Sequence, residues 1–364
     1  MRSLGSQPQV QRGPHAMLSR IAESLYWIGR YIERAEDTAR IADVAYHHTL
    51  GMGMSELEAE RRRLQWESLV QIAGDPLLFA ARYSEANDDT VPLYLTFDSD
   101  NPNSIVTSVA RARELARALR HQIASEMWEA LNSFYLELQR RRSMIALSGL
   151  GNYATNAHLF NRSVKEFSHL FQGLTDSTLP RDEGWFFLQS GKFLERTGKT
   201  ARALRVRFEL LNNDAPLLDP DAEPDPDDWR QWQALLRSFS GYEAYHKMYR
   251  TAMRPVSIVD MVLLSPIFPR SVRFSVGEVD RALAAIAGEH SQYANDSADW
   301  PRNEVQRSIG KLRSALFYAR TDEVIRSGLS AYLIDIENRC RQIGDQMYAE
   351  FFSPRIMRPE EVMA

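Results

Sequence analysis

One six-residue pattern occurs twice in this chain, 162 positions apart. Gly29-Arg30-Tyr31-Ile32-Glu33-Arg34 runs on to Thr38-Ala39-Arg40, and Gly191-Lys192-Phe193-Leu194-Glu195-Arg196 runs on to Thr200-Ala201-Arg202. Across positions 25–44 and 187–206, 7 of 20 residues are identical, where unrelated stretches of ordinary composition share roughly one. A second match follows in the same order. Asn101-Pro102-Asn103-Ser104-Ile105 aligns with Phe268-Pro269-Arg270-Ser271-Val272 at an offset of 167. Two ordered matches at nearly one offset predict a tandem duplication, with two related helical units facing each other about a pseudo-twofold axis.

The unit is helical because its apolar residues recur every three or four positions. Leu18, Ile21, Leu25, Ile28, Ile32, Ala35, Ala39 and Ala42 form one stripe about seven turns long. The second copy repeats it less regularly through Phe187, Leu194, Thr197, Ala201 and Leu204. Ser104 is a natural N-cap for a helix over 105–120, and Ser125 precedes another over 126–142. Segments 242–250, 304–319 and 328–351 also read as amphipathic helices, whereas only 91–97 alternates like a strand. The fold class expected is all-α, a large bundle of long antiparallel helices.

Domain limits follow from composition. Residues 1–16 read as a loose N-terminal tail with no apolar core of a secretory signal, and 353–364 as a second tail. Between them, 17–352 is expected to be a single helical domain, with repeat 1 at about 17–172 and repeat 2 at about 184–352, joined through 173–184. Residues 212–228 carry seven acidic residues, four prolines and no basic residue, which predicts an acidic surface loop. No apolar run is long enough to span a bilayer, and one cysteine, Cys340, fits a reducing compartment. The expected location is cytoplasmic. A net charge of −4 gives no reason to expect nucleic acid as a partner.

The charged pair inside the repeat must do two jobs, since adjacent helical residues point about 100° apart. Gly29 and Gly191 each lie one turn before a glutamate, where a glycine costs up to about 1 kcal/mol relative to alanine. Close approach of a second backbone is the compensation. Glu33 and Glu195 are therefore expected at tight helix crossings, largely removed from water, where each needs cations or several donors. Arg40 has Glu36 at i−4. Arg202 has no carboxylate at i−4 or i−3, so its partner must lie elsewhere in the fold or on a ligand.

Three readings stay open. In the first, the pairs are interhelical salt bridges that set register, and capping by Ser104 and Ser271 completes a structural account. Alternatively Arg30, Arg34, Arg40, Arg196 and Arg202 share a carboxylate or phosphate ligand across the seam, aided by Asn101, Asn103, Ser104, Arg270, Ser271 and Arg273 at two helix starts. Or Glu33, Glu195 or His246 acts as an acid–base group. The eight histidines show no metal-ligand spacing, adjacent His47 and His48 point to different sides of a helix, and no nucleophile elbow or phosphate-binding loop is present. Neither a metal nor a cofactor is expected.

The stretch from Met17-Leu18-Ser19-Arg20-Ile21 through Gly29-Arg30-Tyr31-Ile32-Glu33-Arg34-Ala35-Glu36 resembles the opening of the bacterial alpha-E family, an all-helical group named for a Glu-Arg motif. Asn101-Pro102-Asn103-Ser104-Ile105, Ser125-Glu126-Met127-Trp128-Glu129, Leu194-Glu195-Arg196 and Phe268-Pro269-Arg270-Ser271-Val272-Arg273-Phe274 are similar to its pattern as well. The resemblance implies a setting beside a circularly permuted ATP-grasp ligase, often with a transglutaminase-like peptidase, and so a peptide or amide ligation system. On that footing the expected role is a non-catalytic helical subunit that binds the ligase, with a peptide or amino-acid ligand as a further candidate partner. The chain departs from the pattern at Thr197-Gly198-Lys199, so the two Glu-Arg sites need not be equivalent.

Overall fold

A computed structural model describes residues 17, 19–50, 55–148, 151–211, 226–250, 253–290 and 303–353. The expected tails, most of the acidic segment 212–228, and Gly149 and Leu150 lie outside these residues. Among the described residues fourteen helices follow one another. The first half has Ser19–Leu50 (α1), Glu56–Ala73 (α2), Pro76–Ala80 (α3), Thr90–Thr96 (α4), Ile105–Ala118 (α5), Ser125–Ser148 (α6) and Gly151–Thr178 (α7). The second has Glu183–Leu210 (α8), Pro226–Ser238 (α9), Tyr242–Met248 (α10), Pro255–Val259 (α11), Val272–His290 (α12), Glu304–Tyr318 (α13) and Thr321–Met347 (α14). Single π-turns extend α11 over Asp260–Leu264 and α14 over Tyr348–Phe352. There is no strand among the described residues, and none of the helices is long and apolar enough to cross a membrane.

The two copies of the motif form the centre. α1 is flanked by α8, α5 and α7; α8 is flanked by α1, α12 and α14. Met17 N–H donates to Glu183, Arg30 to Glu195 and Arg196 to Glu33, so residue numbers rise together along both helices. α1 and α8 are therefore parallel, which corrects the expectation of purely antiparallel neighbours. A parallel pair is possible because the whole of α2–α7 carries the chain back to the start. The outer helices do run antiparallel: Glu36 meets Ser168 and Asp43 meets His158 across α1 and α7, while Arg205 meets Glu337 and Phe187 meets Phe352 across α8 and α14.

Several local expectations also change. Segment 91–97 forms helix α4 rather than a strand. Asn87 accepts from Asp89 N–H and Thr90 N–H ahead of it, Pro92 sits in its first turn where a missing N–H costs nothing, and Tyr94 and Leu95 are fully buried. The supposed joint 173–184 is mostly helix, with only 179–182 between α7 and α8. Pro226, assigned to the acidic loop, opens α9. The last helix begins at Thr321 rather than 328, and Gly328 breaks it with φ +107°, a conformation that favours glycine.

Because the middle of α1, about residues 22–45, is enclosed by its neighbours, that stretch has little polar face to give to water. Leu25, Ile28, Ile32, Ala35, Ala39 and Ala42 are buried as the stripe requires, but so are Glu33, Glu36, Asp37, Arg40 and Asp43. Each of those charges has to be matched by a neighbour.

Candidate functional site

The crossing of α1 and α8 is made by its glycines. A methyl group on Gly29 would lie 2.1 Å from the Leu188 carbonyl oxygen, and one on Gly191 would lie 2.0 Å from that of Tyr26. One turn later the glutamates are exchanged between the helices. Arg196 donates to both oxygens of Glu33, Nε to Oε1 at 2.5 Å and Nη2 to Oε2 at 2.8 Å. Glu195 accepts from Arg34 at 2.7 and 3.1 Å and from Arg30 Nε at 2.8 Å. Each glutamate thus meets the arginines of the other motif.

Around Glu33 the site is filled. Arg270, from the turn before α12, reaches Glu36, Asp37 at 2.7 Å and Glu33 at 3.4 Å. Arg40 Nε donates to Glu36 at 2.7 Å, the i−4 pair expected from sequence, and Arg40 Nη1 donates to Ser240 Oγ at 2.6 Å. Ser168 and Gln172 of α7 donate to the other oxygen of Glu36, and His169 Nε2 lies 2.8 Å from Arg40 Nη2. Three carboxylates therefore face three guanidinium groups. Burial works against the charge on Glu36, but Arg270, the His169 hydrogen bond and Arg40 outweigh it and hold this carboxyl well below the usual range. Asp37 goes the other way: burial and the adjacent negative charge of Glu33 outweigh Arg270 and push it up to about 7.

Around Glu195 the site is open. A cavity of about 180 Å³ is lined there by Arg30, Arg34, Lys199, Arg202, Arg341 and Asn103, with Glu195, Gly198, Glu337 and Cys340 completing the wall. The difference from the first site has two sources in the aligned motifs. Gly198 stands where the first copy has Glu36, and the nearest atom to a methyl group on it would be Cys340 Cβ at 3.9 Å. Asn103 stands where the second copy has Arg270. A missing carboxylate and a shorter side chain leave space, and Lys199 in place of Asp37 reverses a charge. Five cations and two carboxylates border the cavity.

The groups around it are held firmly. Arg202 Nε donates to Glu337 Oε2 at 2.9 Å and Arg205 Nε to its Oε1 at 2.8 Å, so the partner of Arg202 lies on α14. Burial would raise the Glu195 carboxyl, yet Arg34 and Arg30 hold it well below the usual range. Burial, reinforced by Arg34 and Arg202, lowers the Lys199 ammonium to about 8 against the pull of Glu195. Burial pushes the Cys340 thiol up to about 12, which leaves little thiolate at neutral pH.

The remaining sequence candidates fall in different places. Ser104 Oγ accepts from Thr107 N–H and Ser271 Oγ from Phe274 N–H, so both cap their helices. Asn101 is fully buried in a structural role, accepting from Asn103 N–H and donating to the Tyr94 carbonyl. Arg273 lies over the Phe317 ring, and His246 is exposed against Tyr242 and Tyr245. Neither lines the cavity beside Glu195. Sequence reasoning did not single out Lys199, Glu337, Cys340 and Arg341 for this site; the one available signal was Gly198 interrupting the second copy.

An all-helical chain centred on two exchanged Glu–Arg pairs defines the class of protein. The chain belongs to the Alpha-E family, described as a predicted alpha-helical domain with a conserved ER motif, which matches residues 17–352. It is also similar to uncharacterized proteins of Mycobacterium bovis and Mycobacterium tuberculosis, at 26% identity over 187 residues. That stretch is 49% of this chain and 21% of each relative, so the match spans about a fifth of their length. No solved structure matches it.

Proposed function

We propose that this chain is a non-catalytic helical subunit that holds an anionic, carboxylate-bearing ligand in the cavity beside Glu195 and docks to a circularly permuted ATP-grasp ligase. The observation that carries the reading is the charge of the cavity wall: Arg30, Arg34, Lys199, Arg202 and Arg341 against Glu195 and Glu337. A partly buried excess of cations is relieved by an incoming anion, and guanidinium forks suit a carboxylate. The volume, about 180 Å³, accommodates a group of amino-acid size. Saturation of both Glu33 and Glu195 by guanidinium groups supports positioning roles for them rather than proton transfer.

A tandem duplication accounts for the design. The reciprocal glycine contacts and the exchanged Glu–Arg pairs support it, and so do the matching roles of α5 with α12 and α7 with α14. One copy of the site has been sealed by Arg270 and Glu36, while the other has kept its space. On this reading 17–352 acts as a single domain, consistent with an interface that needs both halves.

Calorimetric titration with glutamate, a short peptide ending in a free carboxylate, and inorganic phosphate tests the ligand. Binding of the carboxylates should weaken at least tenfold in Lys199→Met and Arg341→Ala, both of which leave the Glu195 pairs intact. The absence of binding, or equal binding by both variants, would remove the proposal. Co-purification with the ligase, and a change in its turnover on adding this chain, tests the partner.

A further inference from the structure

A second constellation lies at the other end of α1 and is independent of the cavity beside Glu195. Asp43 and His47 stand one turn apart on the same face of α1, and His158 of α7 comes up against them. His158 Nδ1 is 2.8 Å from Asp43 Oδ1 and 3.0 Å from His47 Nε2, and His47 Nε2 is 3.8 Å from Asp43 Oδ1. We propose that these three atoms form a binding site for a divalent transition-metal ion of the zinc class, with one coordination position open.

The distances carry the argument. The triangle they define has a circumscribed radius of about 1.9 Å, and three ligands of a tetrahedral centre with bonds of about 2.0–2.1 Å lie on a circle of that size. An ion about 0.7 Å above the plane would be within bonding distance of all three without displacement of either helix. Two imidazoles and one carboxylate favour zinc, cobalt or nickel over magnesium or calcium, which prefer oxygen ligands. The carboxylate is already oriented for single-oxygen ligation. Lys165 Nζ holds Asp43 Oδ2 at 2.7 Å, leaving Oδ1 to the ion, in the manner of an outer-shell partner. Asp43 is buried whereas the two imidazoles are about half exposed, so an ion can enter from solvent and keep a water or ligand on its free side. His47 also lines a neighbouring groove of about 860 Å³ bordered by Arg61, Arg230 and Arg237, from which an anion could reach that side. Spacing analysis does not find this group because its two histidines are 111 residues apart and come together only through the antiparallel packing of α1 and α7.

Zinc titration by calorimetry, paralleled by the visible absorption of the cobalt form, tests the site on the full chain freed of any histidine tag. One equivalent of ion should bind, with cobalt bands of a four- or five-coordinate centre. His158→Ala and His47→Ala should each lose the cobalt bands and weaken zinc at least about 100-fold, beyond the loss of an outer-shell partner. Circular dichroism checks that the variants remain folded, and His246→Ala serves as a matched exposed-histidine control expected to bind like the parent. If the parent binds no zinc at micromolar concentration, or the two variants bind it as the parent does, the site is refuted.

Discussion

Replacing Gly191 with alanine sets two quantities of opposite sign against each other. In an unobstructed helix the change stabilises by up to about 1 kcal/mol. Here the new methyl group would meet the Tyr26 carbonyl oxygen at 2.0 Å, and a carbon–oxygen contact needs about 3.3 Å. The two backbones would have to part by roughly 1.3 Å. Overpacking of this kind costs about 1–3 kcal/mol. The same movement would stretch the Arg30, Arg34 and Arg196 bonds one turn away, now 2.5–3.1 Å long, and breaking a buried pair costs about 3–5 kcal/mol. The expected net loss is about 3–7 kcal/mol. For a chain of this length, with an unfolding entropy near 2.1 cal/mol/K per residue, that is a fall in Tm of about 4–9 °C. Gly29→Ala should behave alike. Gly173→Ala, in an exposed part of α7 with no atom within 4 Å of the new methyl group, is the control and should raise Tm by about 1 °C. Thermal and urea unfolding followed by circular dichroism measures all three. If Gly191→Ala is as stable as the parent, the close crossing is not what holds these glutamates in place.

Two further outcomes follow from the charges. Glu195→Gln leaves Arg30 and Arg34 facing a neutral amide and should lose about 3–5 kcal/mol by urea unfolding; a loss under 1 kcal/mol would mean that the pairs are dispensable. The pH dependence should be divided between opposing groups. Glu36 and Glu195 have lowered values in the fold, so their contribution is present above the unfolded value of about 4.5 and fades as pH falls below it. Asp37 is raised to about 7, so its contribution is complete below the unfolded value of about 3.9 and is lost as pH rises through 7. Urea midpoints for Asp37→Asn should therefore fall less, or rise more, from pH 4 to 7 than those of the parent, and an unchanged slope would contradict the assignment.

Much of the centre could be read from residues alone. A glycine one turn before a glutamate implied a close backbone, and the contacts of Gly29 and Gly191 have that form. Arg40 found Glu36, and Arg202, lacking a local carboxylate, found Glu337. Those inferences depend on helical geometry, which is local. What escaped was long-range. Nothing in the stripe of α1 said that its other faces would also be covered, because a helix enclosed by charged partners has the sequence of an exposed one. Arg270 was marked as a helix-start arginine, but its reach across to Glu33, Glu36 and Asp37 depends on how α12 meets α8. The alternation in 91–97 suggested a strand, yet the turn in which Asn87 accepts from Asp89 and Thr90 N–H, and the burial of Tyr94, decided for a helix. The cavity follows from two small residues, Gly198 and Asn103, that only spatial alignment brings together.

The parallel pairing of α1 with α8 has a consequence for synthesis. Every cation that neutralises Glu33 arises more than 160 residues later, at Arg196 and Arg270. While the ribosome is still making the first half, Glu33 has neither of its counterions, and the innermost layer cannot close. Such a chain should gain its core late and nearly all at once, and a fragment ending before α8 should stay soft and open to proteases.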